Sequence, residues 1–312
     1  MDTIIEIKGL TKDYEKGFWK KKKIRALDDL SLQVEGGQIF GFLGGNGAGK
    51  TTTLKLLMSL IFPTEGSAKI LGAEIGDPAM HQKIGYCPES PYFYDYLKAD
   101  ELMVYFGRLF GMDKGSAEKR SAELLTRVGL EKKDWKRQLR KFSKGMLQRV
   151  GLAQSLINDP EIVFMDEPMS GLDPIGRRQV RELIAELREE GKTVFMSSHI
   201  LTDIEALCDN VAILRKGRLV EEGNLAELLR STAQDSGFEV SVGGIESSVF
   251  KEAIKGKIAS EINVKPGGFS LNVANEQDVE AVLASLNKLG GRLIGVNPVR
   301  QSLEELFVRE ET

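Results

Sequence analysis

The chain has 312 residues, enough for two domains that each bury a core, and its 41% hydrophobic and 29% charged residues are typical of a globular protein. A net charge of −3 gives the whole molecule no attraction for nucleic acid or anionic lipid. The beginning of the chain lacks a signal-peptide pattern, no apolar run approaches the ~20 residues that span a bilayer, and Cys87 and Cys208 have no metal-binding spacing. We therefore expect a cytoplasmic protein.

The first part of the chain alternates predicted strands and helices, which indicates a mostly parallel sheet covered by helices. Short strands are predicted at residues 3–8, 31–34 and 38–43, and a helix begins at Thr52 after a glycine-rich loop. A mainly helical stretch at residues 93–158 indicates an inserted subdomain. Further strands are predicted at Ile162–Met165, Thr193–Ser197 and Val211–Leu214, with a helix at Arg177–Glu190.

A second domain is predicted at residues 237–312, after a first domain at residues 1–230 and a small, polar linker. Its predicted order is β-α-β-β-α-β, which is the ferredoxin-like plan. A final helix opens with a capping box from Ser302 to Glu305. The predicted strands are Phe238–Val242, Glu261–Lys265, Phe269–Val273 and Arg292–Val296, and the two helices between them are Ser247–Ile254 and a segment containing Val279 to Leu289.

The stretch GGNGAGKT fits the pattern G-x-x-x-x-G-K-[ST] of a phosphate-binding loop. It lies between a predicted strand and a predicted helix, which is the context that the motif requires. Glycines allow the backbone to wrap around phosphates, Lys50 reaches the β- and γ-phosphates, and the Thr51 hydroxyl binds Mg²⁺. The residues assigned to this loop are Gly44, Gly45, Asn46, Gly47, Ala48, Gly49, Lys50, Thr51 and Thr52.

Two adjacent carboxylates end another apolar strand, in the stretch IVFMDEP. A buried strand places Asp166 at its carboxyl end, where α/β folds bind ligands, so that Asp166 can hold Mg²⁺ through water. Pro168 favours a non-helical backbone at Glu167 and keeps that carboxylate at the strand end. We predict that Glu167 is the general base for an attacking water molecule.

Three other features each have two interpretations. His199 ends the strand TVFMSSH, where it either has a structural role or reaches a γ-phosphate. Glu89, in GYCPES, is either an ordinary exposed loop residue or part of the site. The basic run from Trp19 to Arg25 is either a solvated loop or a contact to lipid headgroups or RNA.

The stretch FSKGMLQR predicts the beginning of a second important helix. Ser143 is a favourable N-cap, and Met146 and Val150 begin a helical apolar pattern. The free N–H groups near Lys144 and Gly145 and the helix dipole favour an anion at this end. The chain therefore has two candidate anion sites.

Together, the phosphate-binding loop, the Ser-x-Gly helix start, the stretch DEPMSGLDP and a histidine about thirty residues after Glu167 resemble the ATP-binding subunits of ABC transporters. The resemblance covers about the first 230 residues and implies a P-loop NTPase (RecA-like) α/β core with a helical subdomain. It also implies that the protein binds ATP and Mg²⁺ and hydrolyses ATP. In that family two subunits pack head to tail, and each signature helix start caps the ATP of the partner, as a self-complementary dimer requires.

The resemblance also implies roles for individual residues. Glu89 stands where relatives have a glutamine that contacts Mg²⁺ or the attacking water, so the implied metal ligands are Thr51, Asp166 and Glu89. The remaining implied roles are adenine stacking for Tyr14, contacts to the partner's γ-phosphate for Ser143 and Gly145, coupling of the two sites for Asp173, and γ-phosphate sensing for His199.

Departures from the family pattern point to one group within it. The usual L-S-G-G-Q is here Phe142-Ser143-Lys144-Gly145-Met146, and Gly45 stands where proline is common. With a small C-terminal domain that contains SLEELF near its end, these variants resemble the ATPases of ABC-2 type exporters. That resemblance implies a homodimer, an integral membrane permease as partner, no nucleic acid partner, and a peripheral location at the cytoplasmic face of the cell membrane.

Two rival functions come from other classes of protein. A soluble ABC ATPase acting on ribosomes or DNA usually has two cassettes in one chain or a long inserted coiled coil, and this sequence has neither. A nucleotide-gated binding module with weak hydrolysis is disfavoured because Glu167 is intact.

Overall fold

A computed structural model describes residues 2–17, 22–233, 237–254, 262–265 and 267–298 of the chain. The chain divides into two compact units, Met1–Leu225 and Ala226–Thr312. Within the described ranges, no helix combines the length and the apolar character needed to cross a membrane.

The first unit contains ten strands among its described residues, together with a series of helices. The strands are β1 (Thr3–Lys16), β2 (Lys22–Glu35), β3 (Ile39–Leu43), β4 (Glu65–Ile70), β5 (Ala73–Glu74), β6 (Ile84–Cys87), β7 (Ile162–Asp166), β8 (Thr193–Ser198), β9 (Asn210–Arg215) and β10 (Arg218–Asn224). The helices are α1 (Lys50–Leu57), α2 (Pro78–His81), α3 (Ala99–Leu109), α4 (Lys114–Arg127), α5 (Lys144–Ser155), α6 (Pro174–Glu189), α7 (Leu201–Leu207) and α8 (Leu225–Ala233), the last of which begins at the end of this unit.

A six-stranded sheet with the order β10-β9-β3-β8-β7-β6 forms the centre of this unit. All of its pairs are parallel except β9 with β10. Every residue of β3, β7 and β8 is buried, as expected for a parallel sheet covered on both faces. Leu43 pairs with Ser198 and Asp166 with Ser197, so the segments after these three strands emerge at one edge. This edge is where open α/β sheets bind ligands.

A separate antiparallel sheet, β2-β1-β4-β5, was not predicted from the sequence. β1 and β2 are much longer than the predicted strands, and the predicted solvated loop is wrong for Lys22–Arg25, which belong to β2. Arg25 is held in this strand because its guanidinium donates to Asp13 over 2.9 Å and to Asp28 over 2.8 Å. The same Arg25 contact holds the pKa of Asp13 below its usual value. The beginning of the basic run, residues 19–21, lies outside the described residues.

The predicted helical stretch at residues 93–158 contains α3, α4 and α5, with short 3₁₀ turns at Lys132–Asp134 and Leu139–Lys141. The first of these helices begins only at Ala99, later than predicted. The observed α6 begins at Pro174, three residues before the predicted helix start at Arg177.

The second unit has the predicted order of elements, and within the described ranges its sheet is β12-β13-β11-β14 with every pair antiparallel. Its two helices pack on the sheet through a core that includes Val240, Phe250, Leu271 and Leu286. The predicted capping box at Ser302 and Glu305 lies outside the described residues. The elements are β11 (Phe238–Gly243), α9 (Ser247–Ile254), β12 (Ile262–Lys265), β13 (Gly268–Val273), α10 (Glu276–Lys288) and β14 (Arg292–Pro298).

Candidate active site

The predicted phosphate-binding loop connects β3 to α1 at the carboxyl edge of the central sheet. Gly49 has a φ of 112°, and a Cβ atom there would lie 2.8 Å from the Ala26 carbonyl oxygen. A Cβ atom on Gly44 would lie 2.6 Å from the Leu214 carbonyl oxygen. Both contacts are too close for any side chain, so glycine is required at these positions by the backbone path.

The middle of this loop is open above its backbone, because a Cβ atom on Gly45 or Gly47 would meet no atom within 4 Å. The Lys50 ammonium is buried and donates to the Gly44 carbonyl oxygen over 2.6 Å. It therefore lies inside the curve of the loop, where it can bind a phosphate group. Gly45, Asn46 and Gly47 are exposed, Gly44 and Ala48 are buried, and Gly49, Thr51 and Thr52 are half-buried.

Asp166 ends β7 with a side chain that is almost completely buried. The Ser197 hydroxyl on β8 donates to Asp166 Oδ1 over 2.5 Å and accepts from the Glu167 N–H over 3.1 Å. A single hydroxyl therefore fixes the two neighbouring acidic residues. Ser197 was not predicted as a site residue, although two serines at the end of an otherwise apolar strand are a signal of polar contacts at that edge.

Glu167 has a φ of 49°, in the left-handed region that side chains rarely adopt. Pro168 favours a non-helical backbone at this position, but the pre-proline preference is for extended backbone, so the positive φ was not anticipated. A strained residue of this kind costs about 1–3 kcal/mol, and such residues concentrate at active sites. The carboxylate lies 3.7 Å from Lys50 Nζ and 2.9 Å from His199 Nδ1.

His199 is half-exposed just beyond β8, and its ring contacts Glu167. The sequence left the role of His199 open between two interpretations. This contact places its ring beside the predicted general base. In the described part of the chain, no three His, Cys, Asp or Glu side chains converge into a metal-binding group.

Ser143 caps α5 as predicted, because its hydroxyl accepts from the Met146 N–H over 3.2 Å. Asp173 also has a local function, since its Oδ1 accepts from the Gly176 N–H over 2.8 Å and caps α6. Gly145 lies next to the loop before α6, because a Cβ atom built on Gly145 would lie 3.3 Å from Leu172 Cδ2. Among the described residues, no hydrogen bond or ion pair joins Ser143 or Gly145 to the phosphate-binding loop of the same chain.

Glu89 and Tyr14 are less closely tied to the site. Glu89 is exposed two residues after β6, whose Cys87 pairs with Met165 on β7, so it follows the strand next to the one that carries Asp166. No hydrogen bond or ion pair joins Glu89 to another described residue. Tyr14 is 38% exposed on β1, and the Lys12 ammonium lies 5.5 Å from the centre of its ring.

Comparison with known proteins is consistent with this geometry. The family model for ABC transporters matches residues 27–170. An ABC transporter ATP-binding protein of Synechocystis is 46% identical over 98% of this chain and 84% of its own length. The bacitracin transport ATP-binding protein BcrA of Enterococcus faecalis is 31% identical over 98% of this chain and 96% of its own length.

Solved structures give the same result at the level of the fold. A dimeric ATP-binding cassette in a post-hydrolysis state with ADP and Pi is 27% identical, with a TM-score of 0.66 over 71% of this chain and 99% of that cassette. The described core has the P-loop NTPase architecture, and its candidate site has the phosphate-binding loop and the paired acidic residues at one sheet edge. The chain therefore belongs to the ABC transporter family, as an ATP-binding subunit with ATPase activity.

Proposed function

We propose that this chain hydrolyses ATP with Mg²⁺ in a head-to-tail homodimer and thereby drives a separate integral membrane permease that exports a compound. The observation that carries this proposal is the position of the Glu167 carboxylate, which lies between Lys50 and His199 beside the phosphate-binding loop. Relatives named for bacitracin transport and linearmycin resistance support the export of a compound.

The loop fits the phosphates of ATP because its middle is open. Among the described residues, the Lys50 ammonium donates hydrogen bonds to two loop carbonyl oxygens and lies 3.7 Å from the Glu167 carboxylate. Phosphate oxygens would replace those carbonyl contacts with stronger ones, because donor and acceptor would then both be charged. The donors assigned to Mg²⁺ are the Thr51 hydroxyl and the Asp166 and Glu89 carboxylates, all hard oxygen ligands of the kind that this ion takes alongside phosphates. When bound, Mg²⁺ would neutralise charge on the β- and γ-phosphates.

In this proposal Glu167 accepts a proton from the attacking water. Its burial excludes bulk solvent, and its contacts with Lys50 and His199 hold the carboxylate in one orientation. A neutral His199 that donates from Nδ1 to Glu167 has no proton on Nε2. Without that proton, Nε2 cannot donate a hydrogen bond to a γ-phosphate oxygen. His199 can form such a bond only after its ring turns or gains a second proton, so its contacts would change when the nucleotide binds.

The role of Glu167 is tested by Glu167→Gln, because an amide cannot accept a proton from water. We expect ATP binding to persist and the turnover rate to fall by about 10²–10⁴-fold. Glu161→Gln is the matched control, since Glu161 is an exposed glutamate just before the other end of the same strand. Turnover of Glu167→Gln within twofold of the control would remove Glu167 from this role.

The head-to-tail dimer is tested by mixing two inactive variants. Ser143→Arg blocks the helix start that would cap the partner's ATP, and Lys50→Ala disables the phosphate-binding loop. In a head-to-tail heterodimer, one site has an intact loop from the first variant and an intact cap from the second. We expect the mixture to hydrolyse ATP although neither variant does so alone, and a mixture without activity would refute capping in trans.

The proposed permease contact is a cavity of about 390 Å³ next to the loop that carries Glu89. Its walls are mainly apolar or aromatic and include Leu60 and Tyr92, which are 60% and 97% exposed. Apolar surface of this kind marks interaction sites, and a partner bound here would lie against the Glu89 loop. This placement supports a peripheral location at the cytoplasmic face of the cell membrane.

The contact is tested by purifying the tagged chain from membranes of the native host and identifying what accompanies it. We expect a polytopic membrane protein that is lost with Tyr92→Glu and retained with Tyr105→Glu, a control at a partly exposed tyrosine that does not line this cavity. Recovery of ribosomes or DNA instead would favour the soluble ABC ATPase alternative.

A further inference from the structure

Gln148 is a completely buried polar residue on α5 that has no role in the site described above. Its Nε2 donates to the Pro168 carbonyl oxygen over 3.3 Å and lies 3.8 Å from the Cys87 sulfur. Because a carbonyl oxygen can only accept, the contact with Pro168 fixes which end of the amide faces it. The other end, Oε1, is buried and has no hydrogen-bond partner within the described structure.

Packing does not explain a glutamine at this position. Burying an amide with an unpaired oxygen destabilises a fold, whereas leucine or methionine fills a similar volume without that cost. The neighbouring helix positions Val150, Leu152 and Ala153 are buried apolar residues, as this environment favours. Because packing does not explain this polar side chain, its role lies in the hydrogen bond that it donates.

That hydrogen bond acts on the turn that carries Glu167. The left-handed φ of Glu167 persists only if surrounding contacts over-determine it. On one side, the Glu167 N–H donates to the carbonyl and hydroxyl oxygens of Ser197. On the other side, the Glu167 carbonyl accepts from the Ser170 N–H, and the Pro168 carbonyl accepts from Gln148.

The same amide touches a third functional segment. Cys87 ends β6 two residues before Glu89, and its side chain is completely buried. The thiol points its hydrogen toward the Pro88 carbonyl oxygen, at 3.9 Å, which leaves the sulfur free to accept from Gln148. One side chain therefore connects α5, the Glu167 turn and the strand that leads to Glu89.

We infer that Gln148 is a positioning residue for ATP hydrolysis: its amide holds the Pro168 carbonyl, and through it the Glu167 carboxylate, in register with the helix that begins after Ser143. This inference rests on the proposed role of Glu167 as general base. A movement of α5 when its N-terminus meets the partner's nucleotide would reach Glu167 directly through this hydrogen bond. Binding of ATP to the phosphate-binding loop does not depend on it.

The test compares Gln148→Met with Gln38→Met in the full-length chain. Gln38 is also buried and also donates to a backbone carbonyl, that of Glu35, but it lies at the opposite edge of the central sheet. We expect Gln148→Met to lower kcat by about 10–100-fold, the loss typical of a misplaced catalytic group, with KM for ATP within twofold. Gln38→Met should lower the melting temperature to a similar extent and leave kcat unchanged.

A second variant, Gln148→Glu, separates donation from shape. Ionised glutamate has the shape of glutamine but cannot donate to the Pro168 carbonyl, whereas protonated glutamate can. Its activity relative to wild type should therefore rise as the pH falls from 8.5 to about 6, which a space-filling role does not predict. Glu167→Gln is measured in parallel, so that a fast Glu167→Gln enzyme identifies failure of the proposed base.

The inference is overturned if Glu167→Gln is slow while Gln148→Met keeps kcat within twofold of wild type. It is equally overturned if Gln148→Met and Gln38→Met lower kcat to the same extent. A ratio for Gln148→Glu that falls as the pH falls would also contradict it, because protonation restores the hydrogen-bond donor.

Discussion

Ser197→Ala removes the hydroxyl that joins Asp166 to Glu167. The hydroxyl donates over 2.5 Å to a carboxylate whose residue is 2% exposed, and a net hydrogen bond to a charged group contributes about 1.5–3 kcal/mol. The Glu167 N–H keeps its second acceptor, the Ser197 carbonyl oxygen at 3.2 Å, so the loss comes mainly from the Asp166 contact. In a unit of this size 1 kcal/mol corresponds to about 2–4 °C, which predicts a melting temperature lower by about 3–12 °C.

The measurement is differential scanning calorimetry of the full-length chain, with Ser155→Ala as the control. Ser155 is equally buried, but its hydroxyl donates over 2.8 Å to the neutral Leu152 carbonyl oxygen of its own helix. A neutral hydrogen bond contributes about 0.5–1.5 kcal/mol, so the control should shift the transition by about 1–6 °C. A shift for Ser197→Ala no larger than that of Ser155→Ala would refute the reasoning that the Asp166 charge strengthens this contact.

Three further predictions concern other parts of the chain. Deleting residues 237–312 should leave ATP binding by the first unit intact, because that segment has no histidine, cysteine or second phosphate motif; a loss of affinity in nucleotide titration would contradict this. Tyr14→Ala should weaken ATP binding by about 5- to 150-fold if its ring stacks on adenine, since base stacking contributes about 1–3 kcal/mol, and an unchanged dissociation constant would assign Tyr14 to the sheet alone. Lys192 holds the pKa of Asp159 below its usual value, so their pair stabilises the fold above the unfolded pKa of about 4 and loses this effect as the pH falls below it. Lys192→Met should therefore lower the free energy of unfolding at pH 7 by less than about 1 kcal/mol, because Asp159 is mostly exposed, and lower it by less near pH 2, where only the hydrogen bond from Lys192 to the Pro160 carbonyl oxygen is lost; equal losses at both pH values would exclude an electrostatic origin.

Features that depend on a short stretch of sequence were predictable. The phosphate-binding loop requires glycines at fixed spacing between a strand and a helix, and the structure has both elements there. The cap at Ser143 depends on a hydrogen bond to a residue three positions away, so the local pattern predicts it. The apolar runs of β7 and β8 are long enough to identify buried strands that end at the site.

Features that depend on distant partners were missed. Ser197 lies 31 residues from Asp166, and Gln148 lies 61 residues from Cys87, so no local pattern indicates either contact. The charged beginning of β2 was interpreted as a loop because strand formation there depends on pairing with β1 and on the Arg25 contact with Asp13. The positive φ of Glu167 likewise accompanies hydrogen bonds from its N–H group to Ser197, thirty residues away on another strand.

Glu89 provides a test of how far the family pattern applies to this chain. The family resemblance implies a glutamine at this position, whereas Glu89 adds a negative charge near the segment that carries Asp166 and Glu167. A like charge at 4 Å costs about 1 kcal/mol even in water, which is about fivefold in affinity for each phosphate charge at that distance. Bound Mg²⁺ would offset this repulsion because it accepts carboxylate oxygen readily.

We therefore expect Glu89→Gln to retain much of the ATPase activity and to reduce the Mg²⁺ dependence of ATP affinity. The measurement is titration of ATP with and without Mg²⁺ for wild type, Glu89→Gln and Glu131→Gln, a control at an exposed glutamate in the helical subdomain. On the proposed placement of Glu89, the ratio of the two affinities should fall for Glu89→Gln and not for Glu131→Gln, because Glu131 lies in the helical subdomain and not in the Glu89 loop. An unchanged ratio would locate Glu89 outside the nucleotide site and leave it as a residue beside the cavity proposed to receive the permease.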